Sequence, residues 1–197
     1  MSLKSHAVEL RERAEVTQFG FWLYLLSDVM IFGALFATFM VLRHNTAGSV
    51  AGPDIVDPPY VLLQTIVLLA SSFTAAVALL AARAGKLGDM KRFLWATLIL
   101  GAVFLGLEIN EFAVMVNEGH SWKTSAFLSS FFALVGTHGF HILMGLIWLS
   151  VWLWYYTRRG LDDNMMRRLG LFVLFWHFLD IVWIWIFTIV YMFGVAL

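Results

Sequence analysis

Apolar residues fill five long blocks of the chain, at about 19–42, 60–82, 93–116, 126–156 and 171–195, with short polar stretches between them. A helix rises 1.5 Å per residue and a bilayer core is about 30 Å thick, so about 20 residues cross it. Every block is long enough. Backbone groups in lipid must be satisfied within a helix or a closed barrel, and no stretch alternates with the period of a barrel strand. The pattern predicts an all-α polytopic membrane protein. A tail over residues 1–18 precedes a single bundle of five transmembrane helices over residues 19–197.

Composition strengthens this reading. The 197 residues are 61% hydrophobic and 13% charged, with mean hydropathy +0.82; soluble domains carry about 25% charged residues. The polar segments are too short for a soluble catalytic or nucleotide-binding domain. Lysine and arginine flank the blocks, which implies no nucleic-acid partner. With no cysteine, disulfides, thiolate metal sites and iron–sulfur clusters are excluded. The charged lead of Glu9, Arg11, Glu12, Arg13 and Glu15 runs into an apolar block without a small-residue cleavage site. That predicts a retained helix and not a signal peptide.

Charge also predicts orientation. Three basic residues lie in the tail (Lys4, Arg11, Arg13), four between the second and third blocks (Arg83, Lys86, Lys91, Arg92) and four between the fourth and fifth (Arg158, Arg159, Arg167, Arg168). Only Arg43 and Lys123 fall in the alternate loops. Basic residues stay on the cytoplasmic side, so the N-terminus is expected in the cytoplasm and the C-terminus in the periplasm. The loop from Arg43 to Pro59 holds all three prolines and is expected to be irregular.

The blocks are interrupted at seven ionisable positions: Asp28, Glu108, Glu111, His138, His141, His177 and Asp180. Such groups are costly at membrane depth unless they face protein, which makes each a functional candidate. Counted from the cytoplasmic ends, Glu108 and Glu111 lie 15 and 18 residues into the third block, and His141 and His138 lie 15 and 18 into the fourth. Two antiparallel neighbours would then form a two-rung ladder, Glu108 with His141 and Glu111 with His138. Asp28 and Asp180 are each nine residues deep and His177 six, which predicts a second group nearer the cytoplasm. His177 and Asp180, three apart, share a helix face.

Three chemistries suit these seven side chains. They can hold helices together, each bond contributing about 0.6–2 kcal/mol. They can handle protons, since buried carboxylates beside imidazoles titrate far from their usual range. They can ligate a metal or haem, although a carboxylate-bridged di-iron site wants Glu-x-x-His on one helix. Here Glu-x-x-Glu and His-x-x-His lie on separate helices. The second block has no ionisable group, but its small residues (Ala70, Ser71, Ser72, Thr74, Ala75, Ala76, Ala78) allow close helix approach. The tryptophans and tyrosines from Trp148 to Tyr156 suit a membrane interface.

At these residues the chain resembles subunit III of the haem–copper respiratory oxidases, and within them most resembles the bo-type ubiquinol oxidase branch. The first block reads Gly20-Phe-Trp-Leu-Tyr-Leu-Leu-Ser-Asp28, with aspartate where the cytochrome c branch has glutamate. The third has Glu108-Ile-Asn-Glu111-Phe112 where that branch has Gln-x-x-Glu-Tyr. The fourth has Gly136-Thr-His138-Gly-Phe-His141, and the fifth Trp176-His-Phe-Leu-Asp180-Ile-Val-Trp183. The likeness covers about residues 19–195 and departs from the longer members in lacking two N-terminal helices.

The resemblance implies an accessory, non-redox chain with no catalytic or metal residue of its own. Haems, copper and quinol would belong to subunit I, the main partner, with subunits II and IV completing the complex. Bound phospholipid, support of assembly and sustained proton uptake would be this chain's share of proton-pumping oxygen reduction in a bacterial inner membrane. Subunit III of a cytochrome c oxidase and a proton-coupled carrier stand as alternatives.

Overall fold

The computed structural model describes residues 3–48 and 57–192, with side chains from residue 15. Five helices follow in order: α1 (Leu3–Leu42), α2 (Pro58–Arg83), α3 (Leu87–Asn117), α4 (Ala126–Arg159) and α5 (Asp163–Ile186), which widens into a π-helical turn over Phe187–Met192. No strand occurs among the described residues, and each helix contains a segment long and apolar enough to span a membrane. The five predicted blocks are therefore five helices.

Their ends differ from the apolar blocks for local reasons. The expected tail is helical from Leu3 and continuous with the first span, which itself covers Glu15–Leu42. Pro58 and Pro59, expected in the irregular loop, instead open α2, where a missing N–H costs nothing. The rest of that loop, 49–56, lies outside the described residues, as does the predicted end of the last span at 193–197. Gly85 (φ +72°) closes α2 in a Schellman turn, with Lys86 N–H donating to the Ala81 carbonyl at 2.9 Å. This tight reversal starts α3 at Leu87, six residues ahead of the apolar block. Ser125 and Asp162 cap α4 and α5, accepting from the Leu128 and Met165 amides at 3.1 and 2.6 Å.

α5 is the central helix, packed against α1, α2 and α4, while α3 lies against α2 and α4. Its Trp176 is fully buried and fills a slot between two glycines. A Cβ on Gly145 of α4 would fall 2.6 Å from the indole, and one on Gly101 of α3 2.9 Å from it. The indole N–H donates to Ser71 of α2 at 3.1 Å, and Ser71 donates onward to the Thr97 carbonyl of α3 at 3.2 Å. Two turns on, Trp183 donates to Thr65 of α2 at 3.0 Å. The small residues of α2 are thus the hydroxyl partners and close surface on which the tryptophans of α5 seat.

Thr17, Arg83 and Arg167 line one cavity, so the start of the first span within α1, the end of α2 and the start of α5 lie at the same end of the bundle. Phe127 N–H donates to the Asn45 carbonyl at 3.3 Å at the opposite end.

Candidate functional site

The seven ionisable residues fall in three separate places, each spanning two or more helices. The first joins α1 to α4. Asp28 is 4% exposed, and its Oδ1 lies 3.7 Å from His141 Nε2. His141 Nδ1 donates to the Thr137 carbonyl of its own helix at 2.7 Å. A carbonyl only accepts, so Nδ1 carries the hydrogen and Nε2 is the nitrogen that faces the carboxyl group. Phe32, one turn along α1, covers the imidazole at 5.2 Å.

The second place lies between α2, α3, α4 and the π turn. Gln64 Nε2 donates to Glu111 Oε2 at 3.0 Å, with Gln64 fully buried. The Tyr191 hydroxyl comes close to Glu111, outside good hydrogen-bond geometry. Glu108 is 2% exposed, with its carboxyl group laid against Gly139 of α4; a Cβ there would be 2.6 Å from Oε1. His138 is fully buried among the rings of Phe32, Phe104 and Trp183, with centroids at 6.4, 5.9 and 5.2 Å.

The third place joins α5 to α2. His177 Nδ1 lies 2.5 Å from Ser72 Oγ and 3.6 Å from Asp180 Oδ2 of its own helix. Both contacts use the same ring nitrogen. A serine–histidine–aspartate relay needs opposite nitrogens, so this is a lock between helices and not a nucleophile.

Two expectations are corrected here. The ladder between the third and fourth helices does not form: His141 pairs with Asp28, Glu111 with Gln64, and His138 sits among aromatic rings. α3 and α4 are indeed antiparallel neighbours, but Glu108 meets Gly139 and Phe112 meets Gly136, one to two residues away from the depth count. A helix turns 100° per residue, so that slip swings the imidazoles out of reach. The predicted inner group also divides, because Asp28 turns to α4 while His177 and Asp180 turn to α2. The sharing of one face by His177 and Asp180 holds.

Gln64, Ser72 and Tyr191 complete these places and carry no charge to mark them in the sequence. Gln64 is the one amide in the second apolar block, which was the available signal. Among the described residues, no three His, Cys, Asp or Glu side chains gather as a metal-holding group.

Residues 5–195 match the family model described as cytochrome c oxidase subunit III. The chain is 50% identical to a cytochrome bo(3) ubiquinol oxidase subunit 3 of Pseudomonas aeruginosa, over 90% of this chain and 85% of that protein. It is 42% identical to a quinol oxidase subunit 3 of Bacillus subtilis, over 94% of this chain and 91% of that one. A cytochrome c oxidase subunit 3 of Bacillus sp. PS3 is 40% identical, over 90% and 86% respectively.

Proposed function

Since the chain belongs to the cytochrome c oxidase subunit III family, we propose that it is the accessory third subunit of a haem–copper quinol oxidase in a bacterial inner membrane. The observation that carries the quinol assignment is the 50% identity to a ubiquinol oxidase subunit 3 across nine-tenths of the chain, against 40% to a cytochrome c oxidase subunit 3. The geometry supports a scaffolding role. The ionisable groups are dispersed as links from α1 to α4, α2 to α3 and α2 to α5 rather than converging on one reacting centre. Subunit I is the main partner and holds haems, copper and quinol; subunits II and IV complete the assembly. The N-terminus is cytoplasmic.

Lipid binding has a physical basis in the cavity of about 570 Å³ at the arginine-bearing end, between α1, α2 and α5. Arg83, Arg167 and Arg168 line it beside Gln18 and Asn164, with Leu79 and Leu174 beneath. Cationic forks above an apolar floor suit a phospholipid headgroup and the start of its chains. The Asp28–His141 pair is the group best placed for a role in proton uptake, because its two titratable side chains face each other between helices.

Affinity purification through a tag on this chain should bring down a haem-containing partner and oxygen consumption driven by quinol. Recovery of the chain alone, or activity with cytochrome c only, overturns the assignment. In the same complex Asp28→Asn keeps size and hydrogen bonding while losing titration. It should assemble normally and lose activity faster than wild type during sustained turnover at alkaline pH. Equal decay at pH about 6.5 and about 8.5 would leave Asp28 a structural link.

A further inference from the structure

Six of the seven ionisable side chains in the spans are enclosed, at 14% exposure or less. His177 is the exception, with 42% of its side chain exposed. It lies nine residues beyond Arg168, about 14 Å of helix rise. The stretch from Leu169 to Met192 has one other charged residue, Asp180. Ionisable groups at such depth almost always face protein or a water-filled cavity. The ring is held through Nδ1, against Ser72 and beside Asp180, while Nε2 is neither hydrogen-bonded to a described residue nor enclosed.

The positions around His177 define a face. Phe178, next to it, turns toward Phe32 of α1, with ring centroids 6.5 Å apart, and Ser72 belongs to α2. His177 therefore lies on the strip of α5 between those two helices. Toward the arginine-bearing end, Leu174 precedes it on the strip and lines the cavity together with Leu79 and Arg83 of α2. Toward the other end follow Ile181 and Trp185, 59% and 58% exposed. Spacings of three and four keep all of these on one side of the helix. The strip is apolar apart from His177.

The polarity of the free nitrogen selects the occupant. Nδ1 has two oxygens as neighbours, the Ser72 hydroxyl at 2.5 Å and the Asp180 carboxyl group at 3.6 Å. A lone pair there would face the carboxylate, so Nδ1 carries the hydrogen and Nε2 of the neutral ring is an acceptor. A lipid chain has no donor to offer, and headgroup donors stay at the interface. A second copy of this chain, meeting the first through the same strip, would set acceptor against acceptor. A transmembrane helix that is apolar except for one side-chain donor at this depth fits both the strip and the nitrogen. Resting on the oxidase reading above, we infer that the α5 strip of Leu174, His177, Ile181 and Trp185 is the docking face for a transmembrane helix of another oxidase subunit, whose donor bonds His177 Nε2.

Photo-crosslinking in the native membrane tests this on the assembled complex. Trp185 is replaced by p-benzoylphenylalanine, an aromatic residue of similar size, which leaves His177 in place. Illumination should join the chain to another subunit, and the joined helix should carry a side-chain donor about two turns from the adduct, toward the arginine-bearing end. Adducts with lipid alone, with a second copy of the chain, or with a helix lacking a donor overturn the inference. When partners co-purify, such a result removes the docking face and leaves the oxidase reading standing; a chain recovered with no partner removes both. His177→Leu should lower recovery of the crosslinked subunit on the tagged chain several-fold. Ser72→Ala, which removes only the bond inside the chain, should retain it. Equal recovery from the two variants would make His177 an internal lock and overturn the inference, and the crosslink alone decides if His177→Leu fails to accumulate.

Discussion

Gly145 shows how one hydrogen in place of a side chain sets the packing of three helices. Its Cα faces the Trp176 ring so closely that a methyl group would sit 2.6 Å from one ring carbon and 3.0 Å from the next. Trp176 cannot retreat, because its far edge meets Gly101 and its N–H is tied to Ser71. In a bilayer the helices gain little from leaving lipid and associate chiefly through such close contact. Gly145→Ala should therefore destabilise the bundle by about 1–3 kcal/mol, the usual range for overpacking. Thermal unfolding of the purified chain or complex measures this, and Trp176→Phe in the same chain should recover part of the loss by freeing space. A Gly145→Ala variant as stable as wild type would mean the indole has another place to go.

At the scale of elements, α1 is the least enclosed helix; only 22% of its most apolar window is buried. It touches the rest through one stripe, Leu25, Asp28, Phe32 and Phe39, spaced three, four and seven apart. Asp28 is the polar member of that stripe and His141 its partner. A double-mutant cycle on Asp28 and His141 should give coupling above about 0.5 kcal/mol, while Glu108 and His141 should be additive. The reverse pattern would restore the ladder that depth counting predicts. The five helices were legible because length and hydropathy suffice for a span. Partners were not, since exposed Leu26 and buried Leu25 are equally apolar, and no amphipathic stripe marks the contact face. Depth counting located Glu108 to within two residues, but pairing depends on rotation, and two residues are 200° of helix. Gln64 and Tyr191 carry no charge to betray them, and Tyr191 turns inward within a π turn that no local motif announces. The glycine turn at Gly85 and the caps at Ser125 and Asp162 follow familiar local chemistry.

For the whole molecule, five crossings would leave the first and last spans opening on opposite sides of a bilayer, and the cavity lined by Thr17, Arg83 and Arg167 gathers basic residues at one end of the bundle. Eleven of the thirteen lysines and arginines lie in the segments that meet there, and Arg43 and Lys123 lie in the others. Basic side chains resist transfer across the membrane during insertion, and short loops with an excess of them remain in the cytoplasm. The end bearing Arg83, Arg167 and Arg168 should therefore be cytoplasmic, and the end where Phe127 bonds Asn45 should face outward. A reporter active only in the periplasm, fused after Leu197, should be active, and a fluorescent reporter that matures only in the cytoplasm should stay dark there. The same two reporters fused after Lys86, in the tight turn between α2 and α3, should give the opposite result. A dark periplasmic reporter at Leu197 with a bright one at Lys86 would invert the bundle, and the arginine-lined cavity would then open to the outer leaflet.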